Sequence, residues 1–592
     1  MEINRLFDLP FFFNEKWPGQ VMLAGKLDSE WKQLTANEVI LRSRKIALYL
    51  ISLGIQPGDR IGIIAPNSPE WLITDYAIQM SGAISVPVYP SLNADEMQQV
   101  FAHSGVKIIF TGSDSLHQKV ETIRQHLAHL EFHFKINQAI EESILQMGIS
   151  LSHLPKDEAL NDRMNQVKEN DLATLIYTSG TTGIPKGVML SHANILSNAK
   201  ANAPFLPIEP GGRALSFLPL CHIYERMCTS LFLLEGLSIW FAEGLDKISD
   251  NLKDVQPHIF ATVPRLLEKV YDKIILKGMQ LKGVKRVLFD WSIQLGHQFE
   301  FKKLQNPMYS LQLTFARKLI FSKWQEALGG NIRGIVSGGS ALQPRLARIF
   351  WAAGIPVVEG YGLTETSPVV AVNYFTPQTC RFGTVGQVIQ ACKVKILKEH
   401  PEDQSGEILT KGSGLMLGYF EDPEQTQLVI DSEGWFHTGD IGYLDDSGFL
   451  KITDRKKEMF KNSGGKYIAP QPIENKLKES LYIQNAMIVG EYQDHPAALI
   501  VLDKENILLH FNQLRLSLPS KELLHKDSQV RTLIHQEIKK LNQNLSITDR
   551  VHTFCLLEKE WTQESEELTP TQKLRRKYIE EKYQIEIKQL FL

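Results

Sequence analysis

The sequence predicts an α/β protein: a large N-terminal region of layered α/β subdomains, then a small C-terminal α+β domain. Three observations carry this. Short apolar runs alternate with amphipathic stretches between residues 60 and 362. After residue 380 the rhythm changes to brief strand-like runs separated by Gly and Asp. A charged, Gly-containing run at 454–477 then precedes a last segment with its own strands and helices. Strands alternating with helices imply parallel sheet covered by helices, whereas strands closed by tight turns imply antiparallel sheet.

The elements follow in order. "RIGIIAPN" (60–67), "AISVPVY" (83–89) and "VKIIFTGS" (106–113) are apolar and β-branched, as buried strands require. Between them, "SPEWLITDYAIQMSGA" and "NADEMQQVFAHS" have helical spacing. The pattern returns as "HIFATVP" with "RLLEKVYDKIILKG", and as "IRGIVSGGS" with "PRLARIFWAAG" and "IPVVEGYG". "GTVGQVIQACKVKIL", "GEILTKGSGLMLGYF" and "GYLDDSGFLKIT" predict a distorted antiparallel sheet or small β-barrel over 380–453. The domain boundary is therefore placed at 453/454, giving domains 1–453 and 454–592. In the second, "IQNAMIVGE", "HPAALIVLD" and "VHTFCLLEKEW" are strand-like, and "QKLRRKYIEEKYQIEIKQL" reads as a charged helix or extended arm.

With 592 residues, 43% of them hydrophobic, the chain exceeds one ordinary core. Its 64 Lys and Arg nearly balance 67 Asp and Glu, for a net charge of −3, so nothing marks a general nucleic-acid binder. Five Cys, at 221, 228, 380, 392 and 555, form no CxxC pair, which fits a reducing compartment such as the cytoplasm. No signal-peptide pattern opens the chain, and no apolar run reaches membrane-spanning length. In "PLCHIYERM", the neighbours Glu225 and Arg226 are expected to form a structural ion pair.

The stretch "YTSGTTGIPKGVMLSH" (177–192) follows a probable strand. Its glycines let backbone approach a ligand, its Thr and Ser hydroxyls and amides donate to anionic oxygens, and Lys186 adds a point charge suited to phosphate. The spacing is not that of the GxxxxGK[ST] loop. On composition alone, a phosphate-binding loop and a Gly-rich surface turn both remain open.

This stretch resembles the signature of the adenylate-forming enzymes, which include acyl-CoA synthetases, luciferases and adenylation domains of peptide synthetases. Later motifs recur in the family order over essentially the whole chain. The resemblance implies that Thr178, Ser179, Gly180, Thr181, Thr182, Gly183 and Lys186 wrap the phosphates of ATP. In "EGYGLTETSP" (359–368) it implies that Gly360, Tyr361 and Gly362 border adenine, Thr364 contacts the α-phosphate and Glu365 holds Mg²⁺. Ser340, in "SGGSALQPRL", is implied to line the cleft; as a plain residue it is expected to cap a helix starting near Ala341. Asp440 in "GWFHTGDIG" and Arg455 in "DRKKE" are implied ribose ligands. His222 is implied to stand beside the reacting carboxylate, and a satisfied core His is the equal alternative. Lys457 matches a hinge about which the C-terminal domain moves, and Gly464, Gly465 and Lys466 a segment that meets the thiol arm. Lys573 in "ELTPTQKLRRKYI" matches the catalytic Lys, although Gln572 stands where the family commonly has Gly, and Lys577 lies near enough to leave the register open.

"PLCHIYERM" and "TVPRLLEKVYDKI" most resemble the long-chain fatty acyl-CoA synthetase branch. The implied reaction joins a fatty acid to coenzyme A through an acyl-adenylate, using ATP and Mg²⁺ and releasing AMP and pyrophosphate. A fatty acyl-AMP ligase serving an acyl-carrier protein, or a CoA ligase for an aryl or other small acid, is the alternative. Peripheral membrane contact would suit a fatty substrate, with "LPFFFNEKW" (9–17) as a candidate for it or for a core strand edge. Monomer and homodimer are both open.

Overall fold

The computed structural model describes residues 2–136, 156–178, 185–517, 520–543, 545–569 and 572–592. The chain divides into two compact units. One comprises Met1–Leu266, Val287–Val394 and Thr410–His437; the other comprises Leu267–Arg286, Lys395–Leu409 and Thr438–Leu592.

The first unit holds two large sheets. The seven-stranded one runs, in spatial order, Gly418–Tyr419, Lys186–Ser191, Leu172–Thr178, Ile84–Pro87, Arg60–Ile64, Ile108–Thr111 and Phe132–Lys135. Its last five strands are parallel and the first two antiparallel. The nine-stranded sheet carries Val357–Gly362, Gly334–Ser337, Ile259–Thr262, Arg213–Ser216, Ser238–Phe241 and Val21–Leu27 as a parallel centre, with antiparallel strands at both edges. Every α/β strand expected from the sequence is present.

Helix Pro69–Met80 shows how the layers join. Ser68 caps it by accepting from Trp71 N, and Pro69 opens it. Every residue from Trp71 to Met80 is buried, the mark of a helix covered on all sides. It touches Val21–Leu27 of one sheet and Arg60–Ile64 and Ile84–Pro87 of the other. Within it, Asp75 accepts from Arg226 Nη2 with both carboxylate oxygens, at 2.5 and 2.6 Å. Arg226 also donates to Thr174 Oγ1 and Ser85 Oγ, which stand on neighbouring strands. A fully hydrogen-bonded buried pair fixes how layers register.

That pair corrects the expected Glu225–Arg226 bridge. Adjacent helical residues point about 100° apart and do not face each other. Burial pushes the Glu225 carboxyl up to about 8, and its Oε2 is buried without a hydrogen-bond partner among the described residues. The N-terminal aromatics are corrected too. They form helix Leu9–Lys16, not a strand, and Phe7, Leu9 and Phe13 join the main core. The barrel is not found. Cys392–Leu397, Gly406–Gly412, Phe436–Leu444 and Leu450–Arg455 follow an open four-stranded order with no closing pair among the described residues. Gly and Asp turns dictate antiparallel reversal, but closure depends on strand stagger, which those turns do not specify.

In the second unit, Ile483–Val489, Ala497–Leu502 and Thr553–Leu557 form a sheet, antiparallel then parallel. The middle strand is wholly buried. Ile473 and Leu477 of helix Pro470–Leu477 and Val530, Ile534 and Ile538 of helix Ser528–Asn542 share one core cluster with that sheet. No described helix is long and apolar enough to cross a membrane.

Candidate active site

In the first unit, Thr178 and Lys186 are the cross-strand pair next to the connecting segment of the hairpin formed by Leu172–Thr178 and Lys186–Ser191. Ser179, Gly180, Thr181, Thr182 and Gly183 lie outside the described residues. Lys186 Nζ donates to Gln425 Oε1 at 2.8 Å and stands 5.0 Å from the centroid of the Tyr419 ring. The hydroxyl of that same Tyr419 donates to Glu365 Oε1 at 2.8 Å. One aromatic residue thus orients both the cation and the carboxylate singled out in the sequence. Burial, and then the Glu365 charge, raises the Tyr419 hydroxyl far above its usual range, so it remains a donor. The backbone reinforces this link, since Met416 N donates to Glu365 O and Phe420 N to Gly187 O, both at 2.8 Å.

Glu365 sits in a short 3-10 turn, Thr364–Thr366, after strand Val357–Gly362. Thr364 is buried, while Tyr361 and Glu365 are half-buried. The turn folds back so tightly that a Cβ on Gly362 would lie 1.8 Å from Pro368 O, which only glycine avoids. Glu359, at the buried end of the strand beside Gly360, accepts from Leu342 N at 2.8 Å. Burial pushes its carboxyl up to about 8. It ties the "SGGSAL" loop to the "EGYG" strand. Tyr224, from helix Ile223–Leu234, braces the start of that loop, because its hydroxyl donates to Val336 O at 2.9 Å and its ring lies against Gly338.

Ser340 does not cap a helix. The helix is Pro344–Ala352 with Gln343 at its N-cap position and no side-chain cap bond. Pro344 pre-sets the backbone of the first turn and so fixes the start four residues later than Ser340. His222 does cap one: its Nδ1 accepts from Tyr224 N at 3.1 Å at the start of Ile223–Leu234. This gives His222 a structural role in addition to any beside a substrate.

In the second unit, Asp440 and Arg455 face each other across an antiparallel pair, with Arg455 Nε 2.9 Å from Asp440 Oδ1. Glu407 accepts from Gly439 N at 3.2 Å and pairs with Lys456 at 2.9 Å, bracing the turn before Asp440. Lys457 is exposed in the turn that follows. Before it, Asp454 is buried, and burial pushes its carboxyl up to about 7. Gly464, Gly465 and Lys466 form the turn of a small hairpin, Phe460–Lys461 with Tyr467–Ile468, closed by Lys466 N donating to Asn462 Oδ1 at 2.9 Å. It is a built turn rather than a loose linker.

Lys573 is exposed and precedes helix Arg576–Lys582. It closes a tight reversal: Thr569 N donates to Lys573 O at 2.9 Å, and Lys573 N to Thr569 Oγ1 at 3.0 Å. Gln572, where the family pattern commonly has Gly, has φ +62°, in the left-handed region glycine favours. Arg576 anchors the segment through Glu458 at 3.0 Å and Glu474 at 2.6 Å. Lys577 lies one turn further on, within that helix.

Sequence reading missed Tyr419, Gln425, Glu359 and Glu407. The acidic pattern of "GYFEDPEQT" gave no sign that Tyr419 and Gln425 meet a Lys 239 residues away from Gln425. Elsewhere in the first unit, His117, Glu121 and His133 bring ligand atoms within 4.8 Å of one another. The imidazoles stack at 3.8 Å and 15°, so their in-plane lone pairs run side by side rather than converging on one ion. This is packing rather than a metal centre.

Residues 13–420 match the family described as AMP-binding enzyme, and residues 459–592 match the AMP-binding enzyme C-terminal domain. The chain is 31% identical, over 97% of its length and 95% of the relative's, to Long-chain-fatty-acid--CoA ligase FadD15 of Mycobacterium bovis. It is 30% identical, over 98% of its length and 92% of the relative's, to Long-chain-fatty-acid--CoA ligase ACSBG2 of Homo sapiens. Among solved structures, the adenylation domain of a Mycobacterium chelonae carboxylate reductase matches with a TM-score of 0.76 at 18% identity, covering 99% of this chain and 91% of that one. A Mycobacterium tuberculosis fatty acyl CoA synthetase matches at 0.61 and 21%, covering 98% of each. At such identities the structures speak for the fold.

Proposed function

The chain belongs to the AMP-binding enzyme family of adenylate-forming ligases, and from that premise we propose that it is an AMP-forming long-chain fatty acid:CoA ligase. The observation that carries the choice of acid is its full-length likeness to relatives whose names specify long-chain fatty acids. The site supports the reaction class through Lys186 and Glu365, held by one tyrosine beside the hairpin of Leu172–Thr178 and Lys186–Ser191.

A carboxylate is a poor electrophile, because its charge repels nucleophiles and oxide cannot leave. In the proposed first step the acid's carboxylate oxygen attacks the α-phosphorus of ATP, the bond to the β-phosphate breaks, and pyrophosphate leaves. In the second, the thiolate of coenzyme A attacks the acyl carbon and AMP departs with the bonding pair. Phosphoryl transfer needs positioning and charge neutralisation rather than a protein nucleophile. Lys186 serves the β- and γ-phosphates, aimed by Gln425 and Tyr419. Glu365 fits a hard cation, being a half-buried carboxylate with one oxygen oriented by Tyr419 and lone pairs left for a ligand. Mg²⁺ there would neutralise charge on the leaving pyrophosphate. Thr364 serves the α-phosphate, Tyr361 and Ser340 the adenine side, and Asp440 and Arg455 the ribose. Lys573 serves the α-phosphate and carboxylate in the first step. The turn at Lys457 is the hinge between steps, and Gly464, Gly465 and Lys466 receive the thiol arm. A cytoplasmic enzyme fits these substrates.

Incubation with ATP, coenzyme A and acids of graded chain length tests this. The expected products are acyl-CoA, AMP and pyrophosphate, with turnover rising toward long chains. Acyl-AMP that accumulates beside unreacted coenzyme A, or turnover confined to aryl or short acids, would replace the reading with one of its alternatives.

A further inference from the structure

The segment from Phe301 to Ala327 has two unlike faces. It runs through a 3-10 turn, Phe301–Gln305, helix Pro307–Ala316, a π-helical turn, Arg317–Phe321, and helix Ser322–Ala327, all in the first unit. The inner face is anchored. Tyr309, Leu313, Ala316, Phe321 and Trp324 are buried, and Tyr309 donates its hydroxyl to Leu295 O at 3.0 Å. Arg317 donates to Ala352 O and Gln325 to Ala353 O, each at 2.8 Å. The outer face is apolar and open to solvent: Met308 is 65% exposed, Leu311 56%, Phe315 54% and Leu319 47%. Spacings of three, four and four residues put these side chains in one stripe. Isolated exposed apolar residues are ordinary, but a contiguous stripe of four marks an interaction surface.

The charges around the stripe choose its occupant. Lys302, Lys303, Lys318 and Lys323 are exposed, and the only acid in the segment is Glu326, in its last helix, beyond the stripe. The chain as a whole is slightly acidic, so this basic run is local. A second copy docking by two-fold symmetry would bring the same lysines against each other, which like-charge repulsion opposes. An apolar stripe flanked by lysines fits the interface of an anionic bilayer, where apolar side chains enter the acyl boundary and ammonium groups stay among the phosphates. We propose that the Met308–Leu311–Phe315–Leu319 face, with its flanking lysines, is a docking surface for an anionic phospholipid membrane.

Binding is read without ATP or acid, so its failure would leave the ligase reading intact. The full-length protein is sedimented with phosphatidylcholine vesicles and with vesicles containing about one third phosphatidylglycerol. The expected result is binding to the anionic vesicles that weakens steeply as salt is raised. Replacing Met308, Leu311, Phe315 and Leu319 together with Ser should weaken the partition coefficient at least about tenfold. Replacing the four lysines with Gln should bring anionic and neutral vesicles to parity, and it carries the test should the serine variant not fold. Wild type that ignores anionic vesicles, or equal binding by both variants and wild type, overturns the proposal. So does a wild-type dimer, measured by light scattering, that the serine variant abolishes, because the face then belongs to a second copy.

Discussion

The two lysines at the centre of the proposed chemistry are held in opposite ways. Lys186 begins a strand with paired neighbours on both sides, and its ammonium is fixed by Gln425 and the Tyr419 ring. Lys573 projects from a tight, exposed reversal whose backbone is set by Thr569 and a left-handed Gln572. The first is pre-organised, as a group that neutralises charge on a bound nucleotide should be. The second stands on an exposed turn with a braced backbone, as a group proposed to act in one step and withdraw in the next should be.

The sharpest test of this contrast is expected to have the largest effect. Lys573→Ala should slow adenylate formation by about a hundredfold or more, the scale of losing a charged group that acts in the transition state. It should leave most of the thioester step when acyl-adenylate is supplied. Equal losses in both steps, measured by single-turnover kinetics, would erase the distinction. Glu365→Ala comes next, and should raise the Mg²⁺ concentration needed for half-maximal rate by about tenfold. An unchanged Mg²⁺ titration would remove its role. Tyr419→Phe keeps the ring under Lys186 and deletes the hydroxyl on Glu365. It should shift the Mg²⁺ titration in the same direction by only a few-fold, in keeping with one lost hydrogen bond of about 1 kcal/mol.

Much of this organisation was legible in the sequence. Buried strands announce themselves as β-branched runs, and the helix-like run "SPEWLITDYAIQMSGA" contains the helix Pro69–Met80. What the sequence hid was long-range partnership. Arg226 abuts Glu225 in the chain yet binds Asp75, because helical geometry turns neighbours apart. Ser340 has the chemistry of a cap but loses the helix start to Pro344. Tyr419 ends the run "GEILTKGSGLMLGYF", read only as a strand, and its contacts with Lys186 and Glu365 emerge only from pairing with the Lys186 strand.

Smaller effects probe the scaffold. Glu225 and Glu359 carry carboxyls pushed up to about 8 by burial. For an acid raised on folding, the folded state holds the proton more tightly, so stability falls as pH climbs from the ordinary carboxylate range through the raised value. Glu225→Gln should therefore raise the thermal midpoint more at about pH 8.5 than at about pH 5.5. A gain independent of pH would show that Glu225 does not titrate in this window. Gln572→Gly relieves a left-handed non-glycine residue but loosens the unfolded chain, for a net stabilisation of about 0.5 kcal/mol, measured by denaturant titration. A loss of stability would mean that the turn gains more from the Gln side chain than from relaxed backbone.

The central claim, that this chain turns an acid into an anhydride with AMP, is tested most directly by isotope exchange between pyrophosphate and ATP with no coenzyme A present. The account predicts exchange that requires a long-chain acid and collapses in Lys573→Ala. Exchange absent with every acid, or release of ADP in place of AMP when coenzyme A is added, would contradict it.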